Sequence, residues 1–297
     1  MIFAGVDPGS KTYGVAFVDE MGRLVKYEEF LTELVEKDAY VIVNYMLRYK
    51  PVLISLPSGH GLPFIRARNI GEFEIFLMTL SLSKRGPLHE FLRASYKTNG
   101  ITIPSVIELN TVPLYRKKNT IDLGTADKVA SAFFYRTLFD SFVLVEAGSK
   151  FLSALVVING IIVDGLGSSI IPGSSGFVDG EAAYLISQYK PLTKSLIYCG
   201  GEFERAIEIV EMFSGYYSKI YNIPIIVSGK RKHDVKFGLK FDFRFKEAAV
   251  GAAYIASAIS GNRYKEYSDM LNSSGTPVDY LSVKGWDEII SWIKMQL

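Results

Sequence analysis

Apolar and polar positions follow a strand pattern twice in this chain, at its start and again near its middle. Residues 2–6 are an unbroken apolar run, which predicts a buried strand. The run ends on Asp7, and Pro8-Gly9-Ser10 then forces a tight turn, because proline fixes φ and glycine permits positive φ. Residues 13–18 predict a second strand, Glu20-Met21-Gly22 a turn, and residues 24–30 a third strand. The pattern returns at residues 142–150: an apolar strand, a carboxylate at Glu146, the small residues Ala147-Gly148-Ser149, then Lys150. Strands over Leu152–Ile158 and Ile161–Leu166 follow, joined by Asn159-Gly160, a strong hairpin signal. Two three-stranded meanders, each headed by a carboxylate turn, imply an internal duplication.

The segments between are read by period and by breakers. Residues 37–49 have helical periodicity, stopped by Pro51. Residues 52–56 predict a strand opening into the loop 57–63, which holds Ser58, Gly59 and His60. A loop at the C-terminal edge of such a strand is where α/β sheets bind ligands. Helices are predicted over 72–82 and 88–96, and a strand over 104–109. Thr125 suits the N-cap of a helix running to Leu138, with Asp127 and Lys128 in its first turn. In the second half, a glycine-rich loop over 171–181 leads into a helix over 181–188. A strand is predicted over 196–198, followed by Cys199-Gly200-Gly201-Glu202 and a helix over 203–213. A strand over 224–227 ends at Ser228-Gly229-Lys230, a small-residue helix spans 245–259, and an amphipathic helix spans about 286–295.

Length and composition narrow the class. The 297 residues suit two domains, divided here as 1–139 and 140–297. The 48% hydrophobic content supplies substantial cores, and a net charge of +2 from 33 basic and 31 acidic residues carries no strong signal for nucleic acid or a membrane surface. The single cysteine, Cys199, permits no intrachain disulfide and fits a reducing, cytoplasmic setting. The N-terminus lacks a basic leader region, and no run of about 18 apolar residues occurs.

The candidate chemistry sits at the two turns. A carboxylate at a strand tip can hold a divalent cation, and neighbouring N–H groups and hydroxyls can meet phosphate oxygens. Asp7 and Glu146 are the metal candidates. Gly9, Ser10, Lys11 and Thr12 in the first turn, and Gly148, Ser149 and Lys150 in the second, are the phosphate candidates. The paired turns resemble those of the superfamily of actin-like ATPases, sugar kinases and Hsp70, in which two such turns grip a nucleotide's phosphates across a cleft. That resemblance implies an α/β protein of two ribonuclease H-like domains around a nucleotide site, with ATP and Mg²⁺ as cofactors. It assigns Gly200, Gly201 and Glu202 to a nucleotide-binding glycine motif and helices 126–138 and 245–259 to the connecting helices. Gly124-Thr125-Ala126-Asp127-Lys128 resembles a motif of type III pantothenate kinases whose aspartate faces the acceptor, which makes Asp127 a catalytic candidate beside Asp7. Ser58, Gly59, His60 and Arg116 are the acceptor candidates.

Motif order over about residues 1–260 resembles the archaeal family of predicted butyrate-kinase-like proteins and, in outline, carboxylate kinases. Two departures stand out: the second turn carries Glu146 where the superfamily carries aspartate, and Ser149 where it carries threonine. The leading expectation is an ATP- and Mg²⁺-dependent kinase acting on a short carboxylate or a hydroxyl, with no nucleic-acid or membrane partner, and compatible with a homodimer. The alternatives are a non-catalytic ATP-binding sensor or assembly protein, and a RuvC-like nuclease, which Gly5-Val6-Asp7-Pro8-Gly9-Ser10 also resembles. The nuclease requires clustered carboxylates around two metals, and residues 52–56 supply none.

Overall fold

The computed structural model describes residues 1–56, 59–172, 178–198 and 201–297. The first meander is β1 (Ile2–Pro8), β2 (Thr12–Asp19) and β3 (Leu24–Leu31), paired antiparallel in sequence order. Helices α1 (Thr32–Lys37) and α2 (Tyr40–Arg48) follow, then β4 (Leu53–Ser55), α3 (Glu72–Thr79), α4 (Pro87–Ala94), β5 (Gly100–Ile101), α5 (Leu114–Lys117) and α6 (Ala126–Arg136). β4 and β5 add in parallel on the other side of β1, giving the order β3-β2-β1-β4-β5. The second half repeats this plan with β6 (Phe142–Ala147), β7 (Leu152–Ile158) and β8 (Ile161–Leu166) as its meander. After α7 (Gly180–Ser187), α8 (Lys194–Ile197) and α9 (Phe203–Tyr221) come β9 (Ile225–Ser228) and β10 (Leu239–Lys240), and the second sheet runs β10-β9-β6-β7-β8. The duplication is therefore one of topology, with β6 in the place of β1 and β9 in the place of β4.

Two late helices return to the first half. α10 (Glu247–Ile259) packs on β1, β2 and α6, while α11 (Trp286–Gln296) puts Ile293, Ile290 and Trp286 into the core on the outer side of the first sheet. The largest core joins side chains of both sheets, such as Phe3 and Leu53 with Phe142 and Leu155, through α6 and α10 between them. Small residues permit this layer. A β-carbon at Gly251 would lie 1.9 Å from the Ala130 carbonyl oxygen of α6, and one at Gly5 would lie 2.1 Å from the Ala253 nitrogen of α10.

Three predicted elements are corrected. Residues 104–109 form no strand: Val106–Glu108 is one 3-10 turn, closed when the Glu108 carboxylate accepts the Ser105 N–H at 2.6 Å. Pro104 also has no N–H to give a ladder, and the strand of that region is β5. Residues 196–198 are not a strand either. Leu196 and Ile197 belong to α8 and Tyr198 is its C-cap; Thr193 caps the helix's start by accepting the Leu196 N–H at 3.3 Å. The helix predicted over 37–49 breaks at Asp38, whose carboxylate accepts the Tyr40 N–H at 3.0 Å and starts α2 afresh. The Asn159-Gly160 hairpin forms as predicted, with both residues at positive φ, 48° and 78°. Among the described residues, no helix is long and apolar enough to cross a membrane.

Candidate functional site

The site is built where the C-terminal ends of β1 and β6 meet the first turn of α6 and the start of α10. The apolar run of β1 buries its backbone and carries Asp7 to the strand's end, where the residue is only 8% exposed. The following turn closes when the Gly9 N–H donates to the Thr12 carbonyl at 3.0 Å. Lys246, immediately before α10, reaches across it. Its Nζ lies 3.1 Å from Asp7 Oδ2 and donates to the Thr12 carbonyl at 2.6 Å. Burial raises the Asp7 carboxyl pKa despite the pull of Lys246, and the Asp127 charge raises it further.

Lys128 joins the two halves. Its Nζ lies 2.6 Å from Asp127 Oδ2 and 2.5 Å from Glu146 Oε1, all three side chains being less than one-fifth exposed. Ser131, one turn along α6, donates to Glu146 Oε2 at 2.9 Å. Thr125 caps no backbone N–H with its side chain; its hydroxyl donates to Asp127 Oδ1. Burial alone would raise the Asp127 carboxyl, but the charge and hydrogen bond of Lys128, with the Thr125 hydroxyl, hold it below the usual range. Glu146 goes the other way: burial, with the Asp127 and Asp7 charges, outweighs Lys128 and pushes it up to about 7. Lys128 stays protonated, because its two carboxylate partners outweigh the cost of burial.

The remaining expected residues divide into three groups. At the first turn, Ser10 and Lys11 are exposed at its tip, whereas the Thr12 hydroxyl is already engaged, donating to Glu29 Oε2 at 2.6 Å. At the second, the Gly148 N–H donates to the Phe151 carbonyl at 2.8 Å, Ser149 is half-buried and Lys150 is exposed. On the first-domain side, the Gly59 carbonyl accepts the Ala126 N–H at 3.1 Å, which brings His60 to the end of α6. Burial holds the His60 imidazole pKa below its usual value, with Asp122 and Asp127 pulling upward.

The glycine motif and Arg116 are placed otherwise than the sequence suggests. Ser58 and Gly200 lie outside the described residues; Gly201 and Glu202 are exposed ahead of α9, and the described element before them is α8 rather than a strand. The strand that runs parallel beside β6 is β9, with Glu146 paired to Ser228. Gly229 after it has φ of +90°, and a β-carbon there would lie 2.4 Å from the Ala147 carbonyl oxygen. Only glycine fits such an approach, so the strand–glycine unit flanking the second turn is Ile225 to Gly229. Arg116 is bound elsewhere. Its Nε donates to Asp164 Oδ1 of β8 at 2.8 Å, and Tyr217 takes the other oxygen. Its neighbour Lys117 is buried rather than solvated, donating to the Leu109 carbonyl at 2.7 Å.

Sequence reading missed Lys246, Lys128 as a bridge, Ser131 and Gly229. Lys128 and Ser131 stand one and four residues beyond Asp127 on one helix, a spacing that puts Asp127 and Ser131 on the same face. No sequence signal ties Lys246 to Asp7 across more than two hundred residues.

Carboxylate oxygens are the hard donors Mg²⁺ prefers, and that ion keeps several waters, so one or two carboxylates beside substrate phosphates suffice. Asp7 and Glu146 fit that requirement. Among the described residues no group of three or more His, Cys, Asp or Glu side chains could hold a metal by itself, and the nuclease reading needs such a group.

A family model described as "Protein of unknown function (DUF1464)" matches residues 5–283. No curated protein matches the sequence. Among solved structures, the chain is similar to an acetate kinase from Entamoeba histolytica, with a TM-score of 0.51 and 10% identity over 78% of this chain and 82% of that one. A propionate kinase from Francisella tularensis gives 0.47, 13%, 78% and 84% on the same measures. A ROK family glucokinase from Streptomyces griseus, in complex with glucose and AMPPNP, gives 0.44, 12%, 86% and 99%. The likeness to acetate kinase is one of fold: two mixed sheets with helices, as in the actin-like ATPases.

Proposed function

We propose that this chain, which belongs to the DUF1464 family, is an ATP- and Mg²⁺-dependent phosphotransferase acting on a small carboxylate or hydroxyl acceptor. The observation that carries this reading is the pairing of Asp7 with Lys246 near the Lys128 bridge between Asp127 and Glu146, on residues from β1, α6, β6 and the start of α10 of two like-ordered sheets. In this reading Asp7 and Glu146 hold the ion's waters. When bound, Mg²⁺ neutralises charge on the transferring phosphates. The exposed Lys11 and Lys150 stand at the tips of the two turns and would meet phosphates in this reading, and Lys128 and Lys246 supply partly buried positive charge. Asp127, held ionised, can take the proton of a hydroxyl acceptor. A carboxylate acceptor is already ionised at neutral pH and needs no base, and Asp127 then orients it. Burial of the site excludes water, which favours transfer over hydrolysis.

One observation favours a second reading, a nucleotide-binding protein without turnover. Lys128 already occupies both Asp127 and Glu146, so that nucleotide binding could serve closure alone. Calorimetric titration with ATP and Mg²⁺, on wild type and on Asp7→Ala and Glu146→Ala, separates these readings when paired with an assay for acceptor-dependent ADP release. Magnesium-dependent binding lost in both variants, with ADP release on adding an acceptor, supports the kinase. Binding without release across carboxylate and alcohol acceptors supports the second reading. A folded wild-type protein that binds no nucleotide refutes both.

A further inference from the structure

The fold leaves one side of α9 uncovered. Phe203, Ala206, Val210 and Ser214 are buried, where the helix packs on β6, β7 and β9. Met212, Tyr216 and Ile220 are exposed and, at a spacing of four, form a stripe along the helix. Leu114 and Tyr115 of α5 are exposed as well, and these five apolar residues are between 55% and 78% exposed.

A buried network braces α5 against α9. Arg116 Nε donates to Asp164 Oδ1 at 2.8 Å, and the Tyr217 hydroxyl of α9 donates to Oδ2. The Gly165 N–H also donates to Oδ1 at 2.8 Å, and Asp164 is buried. One carboxylate with three donors fixes where Arg116 and Tyr217 stand. Tyr115 and Tyr216, each the residue before, are thereby held on neighbouring elements. Single exposed apolar residues are ordinary, whereas five on two braced elements form a patch of the kind that marks an interaction surface. At about 200 Å² for a large side chain, the patch offers on the order of 700 Å², near the roughly 800 Å² per partner of a standard interface. Tyrosine and methionine are also the types enriched in such surfaces.

The charges beside the stripe indicate what covers it. Glu208 stands one turn before Met212, and Lys219 three residues after Tyr216, both exposed. In an antiparallel pair of α9 helices with the two-fold axis near residue 214, Met212 meets the partner's Tyr216, a favourable sulfur–aromatic contact. Glu208 then meets the partner's Lys219, and symmetry repeats the ion pair at the other end. A parallel pair would set Glu208 on Glu208 and Lys219 on Lys219. We propose that this face docks a second copy of the chain, through an antiparallel α9 contact with Leu114 and Tyr115 at its flank. The dimer does not depend on the kinase reading, and its area suits a reversible association.

The test is sedimentation velocity on the full chain at tens of micromolar protein and low salt, with circular dichroism to confirm folding. Wild type should sediment as a reversible dimer of two 33.1 kDa chains. Met212→Asp and Tyr115→Asp should each weaken association at least tenfold, and both replace exposed side chains, so the fold stays intact. Glu208→Lys and Lys219→Glu each set like charges together at both ends of the contact and should weaken it severalfold. Combining the two restores opposite charges and should return the affinity to within twofold of wild type. A wild type that stays monomeric overturns the proposal, whether or not another protein binds the face. So does a dimer that Met212→Asp leaves within twofold of wild type, or a combined swap no tighter than either single one.

Discussion

At the scale of single residues, Lys128 is the side chain on which the site's charge balance turns. It stands between two carboxylates, each less than one-fifth exposed. Removing one partner of a buried ion pair leaves the other uncompensated. Lys128→Met should therefore cost about 3 kcal/mol of stability at pH 7, measured by urea unfolding. The loss should shrink as pH falls, because Glu146, raised by burial even with Lys128 beside it, takes up a proton more readily without that lysine and sheds its unpaired charge. Glu108 presents a second buried carboxyl, outside the site. Burial pushes it from 4.5 up to about 8 although it accepts the Ser105 N–H. Because the folded-state value is raised, its contribution to stability is full below about pH 4.5 and is lost as pH rises through about 8. Glu108→Gln keeps the shape without the charge and should flatten that decline. At pH 9 the variant should be more stable than wild type by about 2–4 kcal/mol in thermal or urea unfolding.

Elements show how glycine's meaning depends on its neighbours. Gly251 and Gly215 both sit inside helices, α10 and α9. A β-carbon at Gly251 would meet the Ala130 carbonyl at 1.9 Å, whereas one at Gly215 would meet nothing within 4 Å. Gly251→Ala should therefore force α6 and α10 apart and cost about 1–3 kcal/mol. Gly215→Ala should stabilise α9 by about 0.5–1 kcal/mol, the ordinary helix preference for alanine. Both are read from the urea midpoint at unchanged slope. The corrected elements follow the same logic. Residues 196–198 are apolar enough for a strand, but Thr193 offers a helix cap, and the sheet position beside β6 is taken by β9.

At the scale of the molecule, the two sheets share one central layer. Phe3 and Leu53 of the first sheet and Phe142 and Leu155 of the second pack against the same helices, α6 and α10. Neither half can lose that layer without exposing the other's core. Calorimetric unfolding should accordingly show one transition, with equal calorimetric and van't Hoff enthalpies; two resolved transitions would show that the halves fold apart. This layer also sets the chemistry, since α6 carries Asp127, Lys128 and Ser131, and Lys246 stands at the start of α10.

The sequence by itself determined the duplicated meanders, the two carboxylate turns and the helix carrying Asp127, because each is written in neighbouring residues: an apolar run, a turn former, a cap. The alternation at residues 142–166 led to β6, β7 and β8, and Asn159-Gly160 to the hairpin between them. Only the tertiary structure decided what those turns face. It brought Lys246 to Asp7 and Lys128 to Glu146, drew Arg116 away to Asp164, and set Gly229 beside the second turn. The physical reason is range. Strand, turn and helix are selected by contacts within a few residues, whereas charge pairing and backbone approach depend on which distant segments the shared core holds together.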